Sequence, residues 1–286
     1  MVDVRPPERR AHVTLSDGRR LAWSEWGRPD GRPIVFCAGA GCSGALGFGA
    51  AALSTLGLRL LAIDRPGLGA SDPHPAKTFA SWADDLTELI AQQALREVAV
   101  VGFSQGAPFA LALAARGLVR SAAIVSGQDE LAHPRVTPTL HPDVQQMVRT
   151  VASDPAAFEA HFASIATADV LWELSVGMSA EIDRAIYTQE PFASAYRTAL
   201  REGFAQGAQG YARDLANAFL PWPFSVETIG IPVTVWYGGH DTSGVHSPDH
   251  GATLAARIPG ATRIVAPEDG GAVLWTRAAD ILGALR

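Results

Sequence analysis

Ser104 is the residue of this chain best equipped for chemistry. It stands in Gly102-Phe103-Ser104-Gln105-Gly106, after the apolar run Val98-Ala99-Val100-Val101 and before the Ala/Leu-rich stretch Ala107 to Ala114. That order predicts a strand, a sharp turn and a helix. A serine at the tip of such a turn needs a strained backbone that only small neighbours permit, which Gly102 and Gly106 supply. Its hydroxyl then projects above the carboxyl edge of a sheet, placed to attack an acyl carbon. A helix starting there turns free N–H groups and the positive end of its dipole toward the oxygen that becomes negative. The backbone N–H of Gln105 is therefore expected as one oxyanion donor.

The elements around this turn follow a rhythm. Residues 12–27 read as two strands hinged at Ser16-Asp17-Gly18, followed by a Pro/Asp/Gly turn at Arg28 to Pro33. The buried strand Ile34 to Cys37 runs into Ala38-Gly39-Ala40-Gly41-Cys42-Ser43-Gly44, tiny residues that let backbone N–H groups approach a ligand. A helix over 47–56, the strand Arg59 to Asp64, a helix over 82–93, the elbow strand and the strand Ser121 to Ser126 follow. Strands of continuous apolar character alternating with helices predict an α/β fold, a doubly wound, mostly parallel eight-stranded sheet covered on both faces. From about Gln128 to Phe224 the alternation stops and only helical segments appear. The strand Pro232 to Tyr237, a helix over 251–258, the strand Thr262 to Ala266 and a helix over 276–285 resume it. The expected division is 1–127 core, 128–228 helical cap, and 229–286 core.

Composition narrows the partners. The 286 residues are 48% hydrophobic and 18% charged, ample for a buried core, and the net charge is −6. This balance attracts neither nucleic acid nor an anionic membrane surface, so a small, neutral or apolar substrate is expected, and a homodimer is left open. Met1 to Arg10 has no apolar targeting core and no run spans a bilayer, which predicts a cytoplasmic protein. Cys37 and Cys42 are expected as small buried thiols. No phosphate loop, dinucleotide fingerprint or zinc signature is present, so no cofactor and no metal is expected.

The segment Asp64-Arg65-Pro66-Gly67-Leu68-Gly69-Ala70-Ser71-Asp72, the elbow at Ser104, the helical insertion and Gly238-Gly239-His240-Asp241 together resemble the α/β-hydrolase superfamily over almost the whole chain. The resemblance implies a helical cap over the site, a Ser-acid-His triad, and esterase, lactonase, peptidase or C–C-bond hydrolase chemistry. Carried over by position, Ser104 is the nucleophile and Asp241 the acid, with Asp129 at the other place where the family puts its acid. Ala40 supplies the second oxyanion N–H, although the family's histidine in this loop is replaced by Ala38.

The departure lies in Pro267-Glu268-Asp269-Gly270-Gly271-Ala272-Val273, where Ala272 stands at the position of the expected catalytic histidine. A methyl group can neither take a proton from serine nor return it to a leaving group, so the triad reads as incomplete. Loss of two family histidines, at Ala38 and Ala272, favours natural divergence over a single trapping substitution. Restoring an imidazole through Ala272→His is then expected to raise ester hydrolysis. Of the other histidines, His240 adjoins Asp241 and points away, and His250 begins a helix. All three read first as surface or loop-packing residues, with His246 the best placed of them as a substitute base. Glu268 and Asp269 read as a solvated turn. His133, His141 and His161 belong to the cap, whose aromatic residues Phe158, Phe162, Trp172, Tyr187, Phe192, Tyr196 and Phe204 are expected to form its core, with two or three lining a pocket. The leading reading is a serine hydrolase of a small, largely apolar ester, lactone, amide or C–C substrate. The alternative is a non-hydrolytic member of the fold that binds a ligand or promotes a cyclase- or lyase-like reaction.

Overall fold

The computed structural model describes residues 2–285; Met1 and Arg286, the outer ends of the two expected core segments, lie outside the described residues. Eight strands form one sheet: β1 (Arg9–Thr14), β2 (Arg20–Gly27), β3 (Arg32–Cys37), β4 (Leu58–Ile63), β5 (Ala99–Phe103), β6 (Ser121–Val125), β7 (Val233–Gly238) and β8 (Thr262–Ala266). Their order is β1-β2-β4-β3-β5-β6-β7-β8. β1, β2 and β4 pair antiparallel, and every pair from β4 to β8 is parallel. The doubly wound parallel architecture expected from the apolar runs is present.

Both faces are covered, which explains why the central strands do not alternate in polarity. In β5, Val100 packs on one side with α2 (Phe79–Gln92) and α3 (Gly106–Ala115) and Val101 on the other with α1 (Ala50–Leu56). Between β6 and β7 lie α4 (Pro142–Ser153), α5 (Pro155–Ile165), α6 (Ala168–Met178), α7 (Glu181–Tyr187), α8 (Phe192–Gly203) and α9 (Gln209–Phe219). The chain closes with α10 (Ala252–Arg257), α11 (Val273–Thr276) and α12 (Ala278–Gly283). The helix expected from residue 47 starts only at Ala50, after Gly49 in the left-handed region at φ +64°. The single closing helix expected over 276–285 is two short ones that meet at Arg277, where φ is −116°. Among the described residues no helix is long and apolar enough to cross a membrane.

The Asp64–Asp72 segment ties loops together. The Asp64 carboxylate, pushed up to about 6 by burial, accepts the N–H groups of Gly44 and Ala70. Ser71 Oγ accepts the Ala22 N–H at 2.8 Å. Arg65 joins cap to core: its Nε donates to Asp214 Oδ2 of α9 at 2.7 Å, and Lys77 contacts the other oxygen. All three side chains are fully buried. Burial pulls the Lys77 ammonium down and Asp214 acts against it. Removing one member of such a cluster leaves uncompensated buried charge, which destabilises by roughly 3–5 kcal/mol. Asp214→Ala, which strands both cations, is expected to lower unfolding stability by about that much in urea titrations, and an unchanged midpoint would contradict the cluster's role.

Candidate active site

The elbow is built as its sequence requires. Ser104 adopts φ +50°, a left-handed conformation rare for a side-chain-bearing residue and strained by about 1–3 kcal/mol. A Cβ on Gly106 would collide with the Cys37 carbonyl, and one on Gly102 would approach Ala110 Cβ to 2.7 Å, so neither position accepts another residue without movement. The Ser104 N–H is held by the Val125 carbonyl at 3.2 Å, and the Ser104 carbonyl accepts the N–H groups of Ala107 and Gln128, each at 3.0 Å. Strand β6 and helix α3 thereby fix the hydroxyl above the sheet edge.

The imidazole beside Ser104 is where the geometry departs from expectation. His246 Nε2 lies 2.9 Å from Ser104 Oγ, and its Nδ1 lies 2.8 Å from Asp241 Oδ2. The carboxylate needs a donor, which assigns the proton to Nδ1 and leaves Nε2 free to accept from the serine. Asp241 sits just after β7, its Oδ1 also accepting the Ser243 N–H at 3.1 Å. Burial alone would raise the Asp241 carboxyl, but the adjacent imidazole and the Ser243 N–H outweigh it and hold it below the ordinary value of 3.8. The triad that reads as incomplete in the sequence is therefore geometrically complete. His246 is no loop-packing residue but spans the gap between serine and acid.

The segment beyond the acid is anchored so that His246 can reach. Ser247, its neighbour, donates from Oγ to Asp129 Oδ2 at 2.9 Å and accepts the Gly251 N–H at 3.0 Å. Asp129, fully buried and raised above its ordinary pKa by that burial, thus holds the loop that carries His246, whose Nδ1 is bonded to Asp241. His240 is exposed; His250, half-buried at φ +51°, packs 6.2 Å from the Tyr237 ring, centroid to centroid. Asp269 is bound to Arg277 at 2.8 Å and Glu268 is exposed. In the cap, His133 and His141 accept local backbone N–H groups and His161 is exposed.

Ala272 lies in the loop after β8, as expected, and that loop passes close to the acid: a Cβ on Gly271 would come 3.2 Å from Asp241 Oδ1. The place is nevertheless taken. Asp183 of α7 reaches down from the cap and accepts the Gly271 N–H at 2.8 Å and the Ala272 N–H at 2.9 Å.

Opposite requirements fall on the Ala38–Gly44 loop, which must offer donors yet stay fixed. The Arg65 guanidinium donates to the Ala38 carbonyl at 2.6 Å and to the Gly39 carbonyl at 3.1 Å while lying 4.8 Å above the centre of the Phe109 ring. In a trans peptide the N–H points opposite its C=O, so fixing the Gly39 carbonyl turns the Ala40 N–H the other way. Among the described residues neither the Ala40 nor the Gln105 N–H meets a protein acceptor, and both residues line one cavity with Ser104 and His246. Two free donors beside a serine are what a developing oxyanion needs. Cys37 and Cys42 are buried thiols pushed up to about 12 by that burial.

The cavity holds about 270 Å³ and is roofed by the cap. Of the seven cap aromatic residues, Phe162, Tyr187 and Tyr196 line it, joined by Tyr211 and Phe219 of α9. Asp183 and Arg65 were not singled out as functional in the sequence: Arg65 lies within a recognisable motif, whereas nothing near Asp183 marks it.

The profile of the family described as alpha/beta hydrolase fold matches residues 32–278. A curated relative, the non-heme chloroperoxidase CPO-A1 of Kitasatospora aureofaciens, is 37% identical over 95 residues. That stretch covers 32% of this chain and 34% of the relative, about a third of its length. Among solved structures, a hydrolase from Pseudomonas aeruginosa superposes with a TM-score of 0.70 at 20% identity, covering 97% of both chains. The esterase EaEST from Exiguobacterium antarcticum does so with a TM-score of 0.65 at 17% identity, covering 96% of this chain and 97% of its own. At these identities the likeness to the solved structures is one of fold.

Because His246 already occupies the space between Asp241 and Ser104, Ala272→His has no vacancy to fill. Ala272 is 1% exposed, and an imidazole there must displace Asp183 or its neighbours. The variant is expected to lose roughly 1–3 kcal/mol of stability with no gain in ester turnover. A rise of orders of magnitude in turnover would return the base to position 272.

Proposed function

The chain belongs to the alpha/beta hydrolase fold family, and on that premise we propose that it is a serine hydrolase of small, largely apolar esters and lactones. The observation that carries this reading is the hydrogen-bonded line Ser104–His246–Asp241, at 2.9 and 2.8 Å. His246 takes the Ser104 proton as Oγ attacks the substrate carbonyl, and Asp241 stabilises the imidazolium that results. The N–H groups of Ala40 and Gln105 receive the oxyanion. His246 then returns the proton to the leaving oxygen, and a water activated by the same imidazole releases the acyl group from Ser104. The cap aromatics and the modest cavity suit an aryl or short acyl group, and the names of the esterase and hydrolase among the solved neighbours agree with this chemistry. The non-hydrolytic alternative rests on the absence of a base at position 272, and the Ser104–His246–Asp241 line favours hydrolysis over it.

A fluorophosphonate probe tests the reading. The protein is expected to label at Ser104, Ser104→Ala not at all, and His246→Ala to lose roughly 10⁴-fold in turnover of a phenyl ester. A well-folded protein that resists labelling would contradict the proposal.

A further inference from the structure

Asp183 brings a charge into the cavity that the hydrolytic machinery does not use. It is 2% exposed, and both of its oxygens are occupied by backbone N–H groups, of Gly271 and Ala272. The loop is cleared for it, since a Cβ on Gly270 would collide with the carboxylate. Burial and the nearby Asp241 push the Asp183 carboxyl above its ordinary value, while the two N–H donors act against that rise and satisfy the charged form. Its hydrogen-bond partners are neutral amides, and no lysine or arginine side chain bonds it. The His246 imidazole is hydrogen-bonded to Asp241 and acts on Asp183 only through space. Asp183 lines the catalytic cavity beside Asp241 and His246, and the described lining residues include no lysine or arginine.

Resting on the serine-hydrolase reading, we propose that Asp183 is a specificity-determining residue whose buried carboxylate admits neutral substrates and excludes those that carry a carboxylate into the cavity. Two negative charges about 7 Å apart at an effective dielectric of about 20 repel enough to disfavour the anion about 50-fold. Burial keeps salt from erasing the effect.

The test pairs 4-acetoxybenzamide with 4-acetoxybenzoate, which are close in shape and differ in charge. The wild-type protein is expected to prefer the neutral ester by about 50-fold in kcat/KM, mostly through KM, with the preference surviving high salt. Asp183→Asn and Asp183→Ser are expected to shrink that ratio about tenfold or more while the neutral ester is still turned over. Equal use of both esters by the wild type overturns the inference, as does an unchanged ratio in variants that still hydrolyse the amide-bearing ester. If neither ester is hydrolysed and the fluorophosphonate fails to label, it is the hydrolase reading that falls. The charge inference is then decided by equilibrium binding of the corresponding phenols, 4-hydroxybenzamide against 4-hydroxybenzoate: tighter amide binding that Asp183→Asn levels supports it, and equal binding overturns it.

Discussion

One imidazole must lie within a hydrogen bond of both a serine hydroxyl and a carboxylate, and the site is built around that requirement. The serine is immovable: it is locked in a left-handed turn between β5 and α3, with glycines on either side that no larger residue replaces. The acid is nearly as fixed, standing at the end of β7. The imidazole alone is free to come from elsewhere. Here it comes from the loop that already holds the acid, five residues further on.

That relocation has structural consequences on both sides. A base on a loop needs its loop held, and the buried Asp129 does so through Ser247. The last loop runs as Gly270-Gly271-Ala272, small enough for a carboxylate of α7 to dock on its N–H groups. The cap is tied to the core a second time at Asp214, where Arg65 also fixes the Ala38 and Gly39 carbonyls. The α9 carboxylate and the Ala38–Gly39 carbonyls are therefore held by the same guanidinium.

The parts of this arrangement that depend on local pattern were legible in the sequence. The elbow, the parallel sheet, the tiny-residue loop and the all-helical insertion follow from apolar runs, glycines and helical periodicity. The resemblance pointed to the loops that carry Asp241 and Ala272. What pattern could not convey is how thirteen loop residues between β7 and α10 curl. His246 was within view as a substitute base, yet a packing role looked stronger, because its approach to Ser104 depends on the Asp129–Ser247 contact between residues 118 positions apart. Asp183 was invisible for a related reason: an aspartate near the start of a cap helix looks like any exposed helix-start acid. Only the packing of cap on core reveals that it points inward.

The most direct measurement of the central claim is proton NMR of the Nδ1–H between His246 and Asp241, which a short bond to a carboxylate moves well downfield of the amide envelope. The resonance is expected in the wild-type protein and in Ser104→Ala, and is expected to vanish in His246→Ala and to move or disappear in Asp241→Asn. Its persistence in His246→Ala would show that another histidine serves Asp241 and would contradict the account.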